Sequence, residues 1–127
     1  MKSIDPLLTK VYNEKSYHCV HFAIEAAQYL FDADYSDVFI GLTGSLSDAL
    51  RTSRNTAITT IQVKQPKDGT IVLMTNINGS SHVGLYYNER VLHLTEMGVH
   101  YLPLITLNRF YKRIRYYEQS KDISKSC

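Results

Sequence analysis

The sequence contains no tryptophan and only two cysteines, Cys19 and Cys127, among its 127 residues. Two thiols are too few for a disulfide-stapled scaffold, so any role for Cys19 has to come from its chemistry or its packing. No apolar run is long enough to span a membrane, and the first residues lack the apolar core of a signal peptide. We therefore expect one domain over residues 1–127, with no membrane span.

A large surplus of one charge sign is also lacking, because the formal net charge is only +2. That net charge is too small to indicate a nucleic-acid-binding protein, and no sequence signature of a nucleic-acid-binding fold accompanies it. A basic cluster between Arg109 and Arg115 is best interpreted as a solvated face of a strand or helix. No nucleic-acid partner is therefore predicted.

One amphipathic helix is predicted directly after Cys19. Apolar residues from Val20 to Phe31 recur at helical spacing and form a single stripe, and Asn13 or Ser16 is the predicted N-cap. A cysteine at a helix start can be held as a thiolate by the helix dipole, so we expect its pKa to lie below the free value of about 8.5. The alternative is an inert core cysteine.

From residue 57 the pattern changes to that of β-strands. A short helix is predicted at residues 45–51, and strands are predicted at residues 58–63, 70–74, 82–87, 90–95, 99–105 and 113–117. One or two helices followed by a run of strands predict an α+β domain, with the helices packed on an antiparallel sheet of about five to six strands.

A predicted hairpin brings two histidines together. Taking Asn88-Glu89 as a two-residue turn places Gly84 opposite His93. Because residues two apart share a sheet face, His82 and His93 become diagonal neighbours on one face. A turn one residue longer would separate them. The other face is apolar and is the predicted core face, formed by Val83, Leu85, Leu92 and Leu94.

A thiol at a helix start, a histidine and a second polar group are the three parts of nucleophilic cysteine catalysis. In their order and context, these residues resemble the NlpC-type cysteine peptidases, small papain-like hydrolases of bacterial cell-wall peptides. The resemblance covers roughly residues 12–117, and the ending at residues 104–117 looks most like compact phage-encoded members. It is carried by the Cys19 helix, the Pro66-x-x-Gly69 turn before an apolar strand, His82-Val83-Gly84-Leu85-Tyr86, and the return through Leu92-His93 and Gly98-Val99.

The resemblance implies a papain-like fold and a role for each site residue. It makes Cys19 the nucleophile, His82 the base and His93 the residue that orients His82. Tyr12 or Tyr17 would assist the Cys19 N–H in binding the oxyanion, and Ser81 is a further candidate for substrate binding. No cofactor is implied.

The resemblance also implies a substrate, the peptide stem of bacterial peptidoglycan, with the bond between D-glutamate and the diamino acid favoured. Phage tail proteins are further candidate partners. Without a signal peptide, we expect the protein in a phage particle or in the cytoplasm until release, acting on the cell wall. Two alternatives stay open: an amidase or endopeptidase of the related CHAP group, and an inactive phage tail or assembly component that keeps the fold.

A zinc site is the remaining alternative for this composition. The candidate ligands are His18, Cys19, His21, His82, His93 and His100. Neither a Cys-x-x-Cys nor a His-Glu-x-x-His pattern occurs, so no metal is predicted. His18 and His21 are expected at the surface of the helix start, and His100 is expected to face solvent.

Overall fold

The structure is a computed structural model that describes residues 3–13, 17–35, 60–79 and 81–119. Within these ranges a 3₁₀ turn (Asp5–Leu7) precedes helices α1 (Cys19–Phe31) and α2 (Leu104–Leu107). The strands are β1 (Thr60–Val63), β2 (Ile71–Thr75), β3 (Ser81–Tyr87), β4 (Arg90–Thr95), β5 (Gly98–Leu102) and β6 (Arg113–Gln119). The predicted helix at residues 45–51 lies outside the described residues. In the described part of the chain, no helix is both long and apolar enough to cross a membrane.

The six strands form one antiparallel sheet in the order β1-β6-β2-β3-β4-β5. β6, the last strand in the described residues, inserts between β1 and β2, whereas β2 to β5 follow one another as a meander. The α+β class and the antiparallel sheet are therefore confirmed. The meander positions the two histidines, because β3 and β4 are its central neighbours.

Helix α1 covers one face of the sheet, where it packs against β3 and β4. Its buried stripe includes Val20, Phe22 and three alanines, whose small side chains let the helix approach the strands closely. The predicted core face of the hairpin is confirmed, because Val83, Leu85, Leu92 and Leu94 all belong to this cluster.

The start of α1 differs from the prediction, because its N-cap is His18 rather than Asn13 or Ser16. Asn13 instead exchanges two backbone hydrogen bonds with Tyr17, at 2.7 and 2.9 Å, and Ser16 is outside the described residues. The His18 N–H donates to Nδ1 of His21 at 3.3 Å, so a side chain one turn into the helix satisfies the cap. His18 is fully buried, and its predicted surface position is wrong.

The opposite face of the sheet is covered by the segment that follows β5. The predicted strand at residues 99–105 ends early, at Leu102, because Pro103 is the N-cap of α2. Proline is tolerated at a helix start, where no backbone N–H is needed for the helix ladder. Leu107 of α2 is buried against Val72, Met74 and Val91 in a second, smaller apolar cluster.

Candidate active site

The β3–β4 hairpin has the two-residue turn that its sequence predicts. Asn88 and Glu89 both have positive φ, 51° and 67°, which gives a turn whose twist matches the flanking strands. The strands pair Tyr87 with Arg90 and Gly84 with His93. The predicted register is therefore confirmed.

This register places Gly84 and His93 on the face opposite α1. A Cβ atom on Gly84 would lie 2.7 Å from Cγ1 of Val91 and 3.1 Å from Cβ of His93, so glycine leaves the room that His93 occupies. His82, two residues before Gly84, shares that face by strand alternation. We call this side of the sheet the histidine face.

Tyr111 joins the two histidines. It lies between α2 and β6, and its ring packs edge-on against both imidazoles, with centroid distances of 6.1 Å to His82 and 6.4 Å to His93. Its backbone N–H donates to the Leu107 carbonyl at 3.0 Å, and the next residue, Lys112, donates to the Thr75 carbonyl at 2.8 Å. Sequence reasoning missed this residue, because nothing in the local pattern distinguishes it among ten tyrosines.

Cys19 is the first residue of α1 and is completely buried. Its sulfur accepts hydrogen bonds from the backbone of Val83, Val20 and Cys19 itself. Val83 directly follows His82, so the thiol lies against the strand that carries the candidate base. Burial, and to a lesser extent the charge of a Cys19 thiolate, raises the pKa of Tyr111. The thiol thus lies against the backbone of β3, whereas α1 and the His82 side chain are on opposite faces of the sheet.

Burial decides the protonation of these groups. It raises the pKa of Cys19 to about 11, and the backbone hydrogen bonds from Val83, Val20 and Cys19 lower it only in part. The expected pKa below the free value is therefore wrong, because desolvation of the thiolate outweighs the helix start.

The pKa values of His82 and His93 are shifted in the opposite direction, downwards. Burial lowers the pKa of His82, and the nearby Glu96 carboxylate partly opposes this. Burial, together with the charges of His100 and His82, lowers the pKa of His93 to about 3. At neutral pH the site therefore holds a thiol and two neutral imidazoles rather than a thiolate–imidazolium pair.

His93 contacts a third histidine that the sequence interpretation left in solvent. The rings of His93 and His100 stack at 5.2 Å, and Nε2 of His100 shares a 2.9 Å hydrogen bond with Oγ1 of Thr95. His100 is half-buried rather than fully solvent-facing, because β4 and β5 pair it with His93. Extending the strand register from β4 into β5 would have identified His100 as a neighbour of His93 from the sequence.

In this structure His93 does not orient His82 through a hydrogen bond that involves the Nδ1 atom of either ring. The Nδ1 atoms of His82 and His93 are both buried, and neither has a hydrogen-bond partner among the described residues. The two rings are coupled through their charges and through Tyr111. The structure thus brings the predicted pair to one face without that hydrogen bond.

The predicted oxyanion and substrate-binding residues have other contacts. The Tyr17 hydroxyl donates to Oε1 of Glu25 at 2.5 Å, and Lys10 forms an ion pair with the same carboxylate at 2.6 Å. Ser81 is buried, and its Oγ shares a 3.1 Å hydrogen bond with Thr75. Tyr12 is half-buried and packs against the cluster beneath α1.

A pocket of about 310 Å³ opens beside the site on the histidine face. Leu102, Leu107 and Phe110 form its apolar wall, and His93 and Tyr111 belong to both the pocket and the site. Its volume lies at the lower end of the range of small-molecule sites. The pocket therefore adjoins His93 and Tyr111, while the Cys19 sulfur is buried and does not line it.

Comparisons with known proteins add no family assignment. No protein-family model matches the sequence, and no curated protein is similar enough to count as a match. Within the described ranges, no group of three His, Cys, Asp or Glu side chains is arranged to hold a metal ion.

Proposed function

We propose that this protein is a papain-like cysteine hydrolase that cleaves an amide bond in the peptide stem of bacterial peptidoglycan. The observation that carries the proposal is that the sulfur of Cys19, the first residue of α1, accepts a hydrogen bond from the backbone of Val83, the residue after His82. The NlpC-type resemblance supplies the substrate class and the papain-like assignment. The helix that starts with cysteine, packed on an antiparallel sheet that carries the histidines, is compatible with that fold.

The neutral state of the site sets the first chemical step. A thiol with a pKa of about 11 is a weak nucleophile, so its proton has to leave as the sulfur attacks. His82 is available for this, because its lowered pKa keeps the imidazole neutral and able to accept a proton at neutral pH. Attack on the carbonyl carbon gives a tetrahedral oxyanion, while the Cys19 proton passes to His82.

Collapse of that intermediate completes the acyl transfer. The C–N bond breaks, His82 returns its proton to the leaving amine, and the acyl group remains on Cys19 as a thioester. Water then attacks the thioester, with His82 as base, and releases the carboxylic acid and the thiol. His93 and Tyr111 act as positioning residues through their packing around His82.

The start of α1 supplies the first donor for the oxyanion. The Cys19 backbone N–H belongs to the unsatisfied first turn of the helix and already hydrogen-bonds the sulfur. Tyr12 and Tyr17 are both candidates for the second donor, and the Tyr17 hydroxyl donates to Glu25 in this structure. Comparing turnover of Tyr12→Phe and Tyr17→Phe decides between them, because only the variant that lacks the donor should lose activity.

A second candidate function is a non-catalytic component that retains the fold. The burial of Cys19 favours it, because a fully buried thiol has to be uncovered before any carbonyl can reach it. A binding or assembly protein, such as a phage tail component, needs no such opening.

The deciding experiment is incubation of the purified protein with peptidoglycan sacculi, with fragments identified by mass spectrometry. We expect new termini between D-glutamate and the diamino acid, and none with Cys19→Ala. New termini between the sugar and L-alanine would instead assign a CHAP-like amidase. Intact sacculi with an unreactive Cys19 would favour the non-catalytic function.

A further inference from the structure

The basic cluster between Arg109 and Arg115 takes no part in the proposed reaction. Residues 97–117 contain four Lys and Arg residues and no Asp or Glu, so the cluster has no acidic neighbour along the chain. In the described part of the chain, both ion pairs involve lysines outside this cluster. Its positive charge is therefore not neutralised by any described carboxylate.

The strand register fixes where these charges lie. The Lys112 N–H donates to the Thr75 carbonyl at 2.8 Å, and Thr75 pairs with Arg113 at the start of β6. Arg113 and Arg115 are two residues apart on one strand, so they share a sheet face at a spacing of about 7 Å. The sheet thus holds the segment in place while the side chains of Lys112 and Arg113 stay exposed.

A further cation comes from the neighbouring strand. Val63, the last residue of β1, pairs with Tyr116 of β6. Because the strands run antiparallel, Lys64, the next residue of the chain, comes beside Arg115, and like charges at neighbouring sheet positions repel each other. The Nε atom of Arg115 is also buried without a hydrogen-bond partner among the described residues. A solvated face accounts for neither feature, whereas a bound anion would offset both.

We propose that this surface binds an anionic phosphodiester polymer of the bacterial cell wall. The basic strip, as we call it, consists of Lys64, Lys112, Arg113 and Arg115. The inference rests on the proposed function for its choice of polymer, and it adds a partner that the cysteine chemistry does not specify.

Charge complementarity argues for a ligand with repeated charges. A guanidinium binds phosphate oxygens through paired N–H donors, and an ammonium adds a point charge. Cations spread over two strands gain most from a chain that presents one ionised group after another, because each neutralised phosphate releases a counterion. A phosphodiester polymer stays ionised at every repeat at neutral pH, and so it suits the strip.

The aromatic residues of this segment argue against nucleic acid as the partner. Proteins that bind single strands add aromatic side chains on which successive bases stack. Between residues 109 and 117 only Phe110 is an exposed aromatic residue, since the three tyrosines are half-buried. One exposed ring does not form a stacking platform, so the strip fits a polymer that has no bases.

Binding can be measured without any catalysis. A fluorescent glycerol phosphate oligomer is titrated with the full chain and followed by anisotropy, and an oligothymidylate of equal charge is the second probe. We expect the glycerol phosphate oligomer to bind with a clear salt dependence, and the oligothymidylate to bind no more tightly. No binding of the glycerol phosphate oligomer, or tighter binding of the oligothymidylate, would overturn the proposal.

Matched double variants locate the surface. One carries Lys112→Gln and Arg113→Gln in the strip, and the control carries Lys67→Gln and Arg90→Gln, so both lose one lysine and one arginine. All four side chains are exposed, so the cost to folding should be small. We expect the strip variant to bind about tenfold more weakly at low salt, with a salt slope smaller by about two, and the control to bind as the wild type does. Equal losses in the two variants would overturn the assignment.

Whole sacculi connect the strip to the cell wall. The Cys19→Ala protein, which lacks the proposed nucleophile, is sedimented with sacculi before and after hydrofluoric acid removes their phosphodiester polymers. We expect about tenfold less bound protein after the treatment, and unchanged sedimentation would exclude the polymer as partner. If the strip binds the polymer while the wild type leaves every stem peptide intact, the hydrolase function fails and the docking surface stands.

Discussion

The two faces of the sheet differ in what their central residues contact. On the α1 face, Val83, Leu85, Leu92 and Leu94 are buried in a continuous apolar cluster. On the histidine face, the alternating residues of the same two strands are Gly84, His82 and His93, covered by Tyr111 and a short helix. Under the proposed function, neighbouring residues of one hairpin serve stability and chemistry separately, so substitutions on the two faces should have separable effects.

The largest expected effect is on chemistry, from Cys19 at the start of α1. Cys19→Ala removes the nucleophile and should lower peptidoglycan hydrolysis by about 10³-fold or more, since no neighbouring group replaces the sulfur. Release of soluble fragments from sacculi measures it, with circular dichroism to check the fold. Hydrolysis that continues in this variant would contradict the role of Cys19 as the nucleophile.

On the α1 face the effect should be on stability. Leu85→Ala leaves a cavity at a fully buried position and should cost about 2–5 kcal/mol in the free energy of unfolding. Urea denaturation measures this, with exposed Phe110→Ala as the control expected to change stability by less than about 0.5 kcal/mol. Equal effects of the two substitutions would show that the α1 face is not the principal core.

Acid should destabilise the protein through the histidine face, because His93 is buried there in its neutral form. His93 is buried and neutral with a pKa of about 3, whereas in the unfolded chain it titrates near 6.5. The unfolded state therefore binds the extra proton, and stability falls as the pH drops below about 6.5, by at most about 1.4 kcal/mol per pH unit for this group. Urea unfolding between about pH 7 and about pH 5 should show a shallower slope for His93→Gln than for the wild type. Identical slopes would contradict the buried, neutral state of His93.

The smallest effect should come from the Tyr111 hydroxyl. Tyr111→Phe keeps the ring against both imidazoles and should reduce turnover only a few-fold. Tyr111→Leu removes both aromatic contacts and should reduce turnover by about tenfold, with a changed pH profile because His82 is less fixed. Steady-state assays across pH measure both variants, and full activity in Tyr111→Leu would remove its positioning role.

The hairpin could be predicted from sequence because its determinants are local. A two-residue turn and strict alternation fix the register, and the positive φ of Asn88 and Glu89 agrees with it. The helix start was mispredicted because His21, one turn away, satisfies the cap. The end of β5 was missed because Pro103 begins a helix where apolar residues suggested more strand.

The surroundings of the site depend on contacts that no local pattern contains. Tyr111 reaches the histidines only because α2 folds over the sheet and β6 inserts beside β2. The pKa of Cys19 follows from the burial of the helix start, and a motif carries no information about burial. Residue types and their order predicted which groups could meet, whereas packing determined their protonation and access.

The central claim is that His82 activates the buried thiol of Cys19. Its most direct test is the rate of Cys19 alkylation by iodoacetamide at neutral pH in the wild type and in His82→Ala, followed by mass spectrometry, with Cys127 of the same chain as the internal control. We predict that loss of His82 slows Cys19 by about tenfold or more and leaves Cys127 unchanged. Equal Cys19 rates in the two proteins would contradict the claim.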